Sequence, residues 1–91
     1  MAIAVVFTPV SMTTAQYDEI IKRLEQAGAG TPAGRLYHVC YGSGDQLRVT
    51  DVWESGETFE QFGLTLMPIL QQLKVDPGQP MISPAHNIIK G

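Results

Sequence analysis

The stretch Gln46-Leu47-Arg48-Val49-Thr50-Asp51-Val52-Trp53-Glu54-Ser55 decides the fold, because it has the pattern of a strand that leads directly into a helix. Side chains alternate between the two faces of a strand. One face therefore carries Leu47, Val49, Asp51 and Trp53. Ser55 is a favoured residue at a helix N-cap, and Glu57 complements the positive end of the helix dipole. An acid and a tryptophan are thus predicted on one side of a sheet, beside the start of a helix.

The chain before this stretch predicts a strand, a helix and a second strand. Residues 2–8 are almost wholly apolar, as in a central strand that is covered on both faces. Thr13 and Gln16 fit a capping box, and an apolar stripe at helical spacing runs from there to Gly28. Arg35–Tyr41 then has the composition of a strand.

The turn at Gly42–Asp45 predicts a hairpin between the second and third strands. If Tyr41 pairs with Gln46, His38 lies on the same face as Asp51 and Trp53. A register slip of one residue would separate them.

The last part of the chain predicts a second helix and a fourth strand. The apolar stripe of this helix is Phe59, Phe62, Leu66, Ile69, Leu70 and Leu73. Pro68 predicts a kink or a break at Met67, because proline lacks an amide donor. Met81–Ile89 is predicted to be a strand, with Pro84 permitted only at an edge or a bulge.

The order strand, helix, strand, strand, helix, strand predicts an α+β, ferredoxin-like fold for residues 1–91 as a single domain. Right-handed crossovers place both helices on one face of an antiparallel sheet with strand order 4-1-3-2. Two helices cover one face only, and the other face is also apolar. We therefore expect a homodimer in which a second copy covers that face.

Composition argues against several classes of protein. The net charge is -3 and the six Lys and Arg residues are scattered, so no nucleic-acid site is expected. No apolar run reaches the ~18 residues of a membrane-spanning helix. The single cysteine, Cys40, fits a reducing cytoplasm and is expected to be a small core residue. The N-terminus lacks the basic region of a signal peptide.

The segment Trp53-Glu54-Ser55-x-Glu57-x-Phe59 resembles the antibiotic biosynthesis monooxygenase-like family of the dimeric α/β-barrel superfamily. The resemblance in element order covers nearly the whole chain. It implies a homodimer with a small pocket between helices and sheet, and Trp53 matches a tryptophan that lines the pocket in several members. Some members are cofactor-free oxygenases of aromatic polyketides, and others degrade haem. The haem-degrading members use an asparagine on the first strand and a histidine on the second helix, which this sequence lacks.

Four residues are candidates for the site. His38 suits a general base, and Asp51 suits its orienting partner, because a carboxylate between apolar neighbours needs a partner. Trp53 and His86 are candidates for substrate binding. Each has a structural alternative: a hydrogen-bonded strand histidine, a structurally paired acid, a core tryptophan, and a histidine at the dimer seam. Two histidines and one cysteine at distant positions predict no metal site.

Two functions follow from the sequence. The first is a cofactor-independent monooxygenase that acts on an aromatic compound in an apolar pocket. The second is a non-catalytic dimer that binds a small ligand or serves as an accessory protein. An open cavity lined by His38, Asp51 and Trp53 would favour the first, and a filled core there the second.

Overall fold

Four strands and two helices make up the computed structural model, which describes residues 1–91. The elements are β1 (Ile3–Phe7), α1 (Thr14–Gln26), β2 (Arg35–Tyr41), β3 (Arg48–Trp53), α2 (Gly56–Gln72) and β4 (Met81–Pro84). The strands form one antiparallel sheet in the order β2-β3-β1-β4, which is the predicted order counted from the opposite edge. The prediction of an α+β, ferredoxin-like fold is confirmed.

Both helices pack on one face of the sheet around a single apolar core. Val5 at the centre of β1 and Trp53 at the end of β3 are fully buried there. The helices contribute Ile20, Leu24, Phe62, Ile69 and Leu70. These are residues of the two predicted stripes, so the helical periodicity identified the buried faces correctly. Neither helix has the length and apolar content that crossing a membrane requires.

The predicted capping box is present at the start of α1. The Gln16 amide donates to Thr13 Oγ1 at 3.2 Å, and the Thr13 amide donates to Gln16 Oε1 at 2.8 Å. Two amides that a helix would otherwise leave unpaired are therefore satisfied. This cap sets where α1 begins, and hence which residues it turns toward the sheet.

The prediction at Met67 is a kink or a break, and the second helix continues through Pro68, so a break is wrong and a kink stays a prediction. Proline removes one hydrogen bond, the one to the Leu64 carbonyl. Leu64 and Pro68 both lie on an exposed side of the helix, where water can take the place of that bond. The packed residues on the opposite side hold the helix together across this position.

The fourth strand is shorter than the predicted Met81–Ile89 and ends at Pro84. It pairs with β1, which begins at Ile3. The last bond runs from the Ala85 amide to the Ala2 carbonyl at 2.9 Å. Residues after Ala85 have no strand beside them, so their apolar pattern alone does not extend the sheet.

The β2–β3 hairpin has a different register from the predicted one. Tyr41 pairs with Arg48, two residues further along than Gln46. The hairpin connection instead contacts the segment between β1 and α1: the Met12 amide donates to the Asp45 carbonyl, and the Leu47 amide donates to the Met12 carbonyl. A shift of two residues does not change the face of His38 relative to Asp51, so their predicted grouping is confirmed.

The sheet face opposite the helices is mainly apolar and is uncovered. By the register of the strands, its apolar residues are Ala4, Val6, Tyr37, Val39, Tyr41, Val52 and Met81, and Arg48, Thr50 and Ser83 lie on the same face. Tyr37 is 56% exposed and Met81 is 67% exposed. This face is the one that the sequence assigned to a second copy.

Candidate functional site

Three side chains form a continuous hydrogen-bonded chain between the sheet and α1. His38 Nδ1 lies 2.6 Å from Asp51 Oδ1, and His38 Nε2 lies 2.6 Å from the Tyr17 hydroxyl. His38 and Asp51 are direct cross-strand partners on β2 and β3. Tyr17 reaches them from the first turns of α1, with its ring parallel to the imidazole. The sequence grouped His38 with Asp51, and the fold adds Tyr17.

The carboxylate of Asp51 orients this chain. The Trp53 indole donates from Nε1 to Asp51 Oδ2 at 3.3 Å, which leaves Oδ1 to accept from His38 Nδ1. In a neutral imidazole the hydrogen then lies on Nδ1, and Nε2 accepts from the Tyr17 hydroxyl. Asp51 is buried, and its partners satisfy both oxygens. The arrangement matches the acid–histidine–hydroxyl order of a proton relay.

An apolar cavity lies beside this chain, between the two helices and the sheet. Its volume is about 60 Å³, and Tyr17, His38 and Asp51 all contribute to its wall. The apolar wall includes Phe7, Met12, Ile20, Leu24, Phe62, Leu66 and Leu70. The members of the relay therefore border a small internal space as well as packed side chains.

The environment keeps Tyr17 and Cys40 protonated at neutral pH. Burial raises the pKa of Tyr17, Cys40 and Asp51 raise it further, and the positive charge of Arg35 opposes them. Burial also raises the pKa of the Cys40 thiol, with a contribution from Asp18. Tyr17 is therefore a hydroxyl donor to His38, and Cys40 is a poor nucleophile.

The other two candidates from the sequence lie outside the cavity. Trp53 is fully buried against Phe59 and Phe62, and it does not line the cavity wall. Its indole acts behind Asp51, so a substrate-binding wall at Trp53 is not what the structure contains. His86 is exposed in the segment after β4 and takes no part in the cavity either. The structure thus brings His38, Asp51 and the Trp53 indole together, with only His38 and Asp51 in the cavity wall, and it leaves His86 apart from them.

Two cavity residues were missed by sequence reasoning. Helical spacing assigns Tyr17 to the apolar stripe of α1, and no local signal gives the partner of its hydroxyl. Arg35 lines the cavity because a β-bulge between Arg35 and Tyr37 shifts the alternation at the start of β2. Leu36, which regular alternation from His38 would place on the inner face, is 39% exposed instead.

No metal site accompanies these residues. No three His, Cys, Asp or Glu side chains converge as the ligands of a metal ion would. The only acid at the relay, Asp51, already accepts hydrogen bonds from His38 and Trp53.

Solved structures share this fold. No protein-family model and no curated protein matches the sequence. A protein from Chloroflexus aurantiacus J-10-fl, described provisionally as an antibiotic biosynthesis monooxygenase, is 18% identical and superposes with a TM-score of 0.67, covering 100% of both chains. SnoaB from Streptomyces nogalater, a cofactor-independent oxygenase, is 16% identical with a TM-score of 0.61, covering 99% of this chain and 96% of its own.

The same fold occurs without an assigned activity. NE2512 from Nitrosomonas europaea, a protein of unknown function, is 15% identical with a TM-score of 0.56, covering 99% of this chain and 94% of its own. The chain therefore has the fold of the antibiotic biosynthesis monooxygenase proteins, as its sequence resemblance predicted. At these identities the likeness shows the fold alone, and any function must be argued from the site.

Proposed function

We propose that this protein is a cofactor-independent monooxygenase that oxidises a small phenolic compound in the cavity between helices and sheet. The observation that supports the proposal is the Asp51–His38–Tyr17 chain, which ends at the wall of an apolar cavity. The fold is also that of SnoaB, which carries out cofactor-independent oxygenation.

Each residue of the relay has a defined role in this chemistry. The substrate hydroxyl gives its proton to the Tyr17 oxygen while Tyr17 passes its own proton to His38 Nε2. Because burial raises the pKa of Tyr17, the two transfers occur together rather than through a free tyrosinate. Asp51 stabilises the imidazolium that results.

The phenolate then supplies the electrons for the reaction with O₂. One oxygen atom forms a carbonyl at the ring carbon that carried hydrogen, and the other leaves as water. A phenol with a free para position plus O₂ gives a para-quinone plus water, so the four electrons that O₂ accepts all come from the substrate. The apolar wall orients the ring and excludes water from the anion.

The size of the cavity supports a second candidate, a non-catalytic protein that binds a small ligand or serves as an accessory subunit. A volume of about 60 Å³ is less than half of the ~150 Å³ of a cavity that holds benzene. A ring enters only if a wall side chain moves, and Met12, which is flexible, is suited to such movement. If the wall does not open, the relay is a satisfied structural network.

A homodimer is part of the proposed function. Most side chains on the uncovered sheet face are apolar, and an isologous contact with a second copy would remove them from water. A dimer through this face would leave the cavity accessible, because the cavity lies on the helical side of the sheet.

Oxygen uptake with purified protein and a panel of phenols tests the proposal. We expect turnover of at least one phenol with a free para position, without added metal, flavin or reductant. His38→Gln and Tyr17→Phe should each lower the rate by ~10²–10⁴-fold, as loss of a general base does. His86→Gln, outside the cavity, is the matched control and should leave the rate unchanged. Equal rates in all four proteins would contradict the proposal and favour the non-catalytic candidate.

A further inference from the structure

Arg35 is the charged group in the cavity wall that has no ionic partner. Four ionisable residues contribute to the wall: Tyr17, Arg35, His38 and Asp51. The acid is paired with His38, whereas Arg35 forms no salt bridge. Arg35 is half-buried as a residue, and its hydrogen bond to the Gly30 carbonyl is exposed, so the side chain lines the cavity while its charge keeps contact with solvent.

The hydrogen bonds of Arg35 leave most of its donors free. Its Nη2 atom donates to the Gly30 carbonyl at 3.3 Å, and this is its only side-chain hydrogen bond to the protein. A guanidinium has five N–H groups in a planar fork that matches a carboxylate. The central carbon of Arg35 also lies 5.8 Å from the centroid of the Phe62 ring, within the range of a cation–π contact. These two contacts position the guanidinium and leave most of its N–H groups without a protein acceptor.

The bulge in β2 is what directs Arg35 to the cavity. Regular alternation would place Leu36 on the inner face, and an apolar residue there would complete an apolar wall. The irregularity between Arg35 and Tyr37 brings Arg35 opposite Trp53, an inward-facing residue, and leaves Leu36 exposed. Bulges are frequent beside active sites, where they redirect a side chain. Because of this irregularity, Arg35 rather than Leu36 lines the cavity.

We propose that Arg35 binds the carboxylate of the ligand, which makes the ligand a phenolic or related aromatic carboxylate whose ring occupies the cavity. This inference rests on the proposed function for the phenol group only; the carboxylate preference follows from Arg35 itself. Asp51 is the one acidic side chain in the wall, and both of its oxygens already accept hydrogen bonds. A ligand in the cavity thus meets Arg35, which has no ionic partner, and Asp51, whose oxygens already accept hydrogen bonds.

Calorimetric titration with 3-hydroxybenzoate and with 3-hydroxybenzamide tests this preference, because the two compounds have nearly the same shape, differ in charge and keep the position para to the hydroxyl free. We expect the carboxylate to bind wild-type protein at least tenfold more tightly than the amide. Arg35→Gln should abolish the preference, and Arg35→Lys should keep part of it, since lysine retains the charge and loses the fork. Arg23→Gln, on the surface of α1, is the control and should keep the full preference.

The salt dependence of wild-type binding gives an independent measurement if Arg35→Gln does not fold. The preference for the carboxylate should shrink between low and high ionic strength, while affinity for the amide stays constant. Equal affinities of the two compounds for wild-type protein, binding of neither, or a preference that persists in Arg35→Gln would each overturn the inference. A carboxylate preference without oxygen uptake would refute the proposed oxygenase activity and leave the role of Arg35 intact.

Discussion

At the scale of single residues, Asp51 has the most restricted environment in the molecule. It is the only polar or charged residue among the buried ones. One of its oxygens accepts from His38 on β2, and the other accepts from Trp53 on β3. A buried carboxylate is tolerated only with such partners. The same bonds fix the orientation of His38, so the stability of the core and the geometry of the relay depend on one side chain.

Asp51→Asn should therefore lower the free energy of unfolding by about 1.5–3 kcal/mol, the value of hydrogen bonds to a charged group. An amide offers one acceptor where the carboxylate offers two, so either His38 or Trp53 loses its partner. Urea denaturation measures the loss. Asp18→Asn on the exposed side of α1 is the matched control and should cost far less. Equal losses in the two variants would contradict the assigned role of Asp51.

Tyr17 should ionise above the usual range of a tyrosine. Its pKa is raised by burial, so the folded protein binds this proton more tightly than the unfolded chain does. The resulting stability is fully present below the unfolded pKa of about 10 and is lost as pH rises through the folded pKa. In an absorbance titration of the phenolates, Tyr17→Phe should remove a phase that lies above that unfolded value. If the phase that Tyr17→Phe removes lies at or below it, the environment assigned to Tyr17 is wrong.

At the scale of elements, the start of β2 is tied to the start of α2. Gly34 has a φ of 85°, and a Cβ at this position would lie 2.6 Å from the Thr58 side chain. Thr58 cannot yield easily, since its hydroxyl donates to the Ser55 carbonyl at the helix cap. The Glu54 amide also donates to the Gly34 carbonyl at 2.8 Å. These contacts hold the chain immediately before Arg35, so they help to place the cation in the cavity.

Gly34→Ala should destabilise the protein more than Gly28→Ala. Both glycines have positive φ, and an alanine there costs ~1–2 kcal/mol at either site. A Cβ on Gly28 meets nothing within 4 Å, whereas one on Gly34 meets Thr58. The contact should add ~1–3 kcal/mol, as overpacking does. Thermal and urea denaturation of the pair isolate this difference, and equal destabilisation would mean that Thr58 moves away without cost.

At the scale of the whole molecule, the sheet has two different faces. One carries the helices, the cavity and the relay, and the other is an apolar surface with no cover from its own chain. Patches of this kind on soluble proteins commonly mark interaction sites. The separation of the two faces allows assembly and ligand binding to be tested independently.

Val52→Lys should convert the proposed homodimer to a monomer. Val52 lies between Tyr37 and Ala4 in the centre of the uncovered face, where a charge would be buried without a partner in the dimer. Sedimentation equilibrium at micromolar concentration should give twice 9.9 kDa for wild type and 9.9 kDa for the variant. Gln61→Lys on the exposed side of α2 should remain dimeric. A wild-type mass of 9.9 kDa throughout that range would refute the homodimer.

Local patterns in the sequence determined the class of fold, the strand order and most of the core. Alternation and helical spacing depend on the backbone of one element at a time, so they identified the buried face of each helix and placed His38 and Asp51 together. That grouping survived an error of two residues in the hairpin register because the period of a strand is two. The sequence did not reveal that α2 continues through Pro68, because solvent around that side of the helix decides it. It also did not reveal that β4 ends at Pro84, because no strand lies beside the residues after Ala85.

Only the tertiary structure decided the composition of the site. The Tyr17 hydroxyl meets His38 from another element, 21 residues away in sequence, and nothing local specifies that approach. The direction of Arg35 depends on a bulge that forms between paired strands, which alternation within one strand cannot reveal. Trp53 faces inward as its parity required, but the packing of α2 placed its ring in the core and only its indole nitrogen at the site. The alternation of side chains along a strand determines which face a residue lies on, and the packing of neighbouring elements determines what that residue contacts.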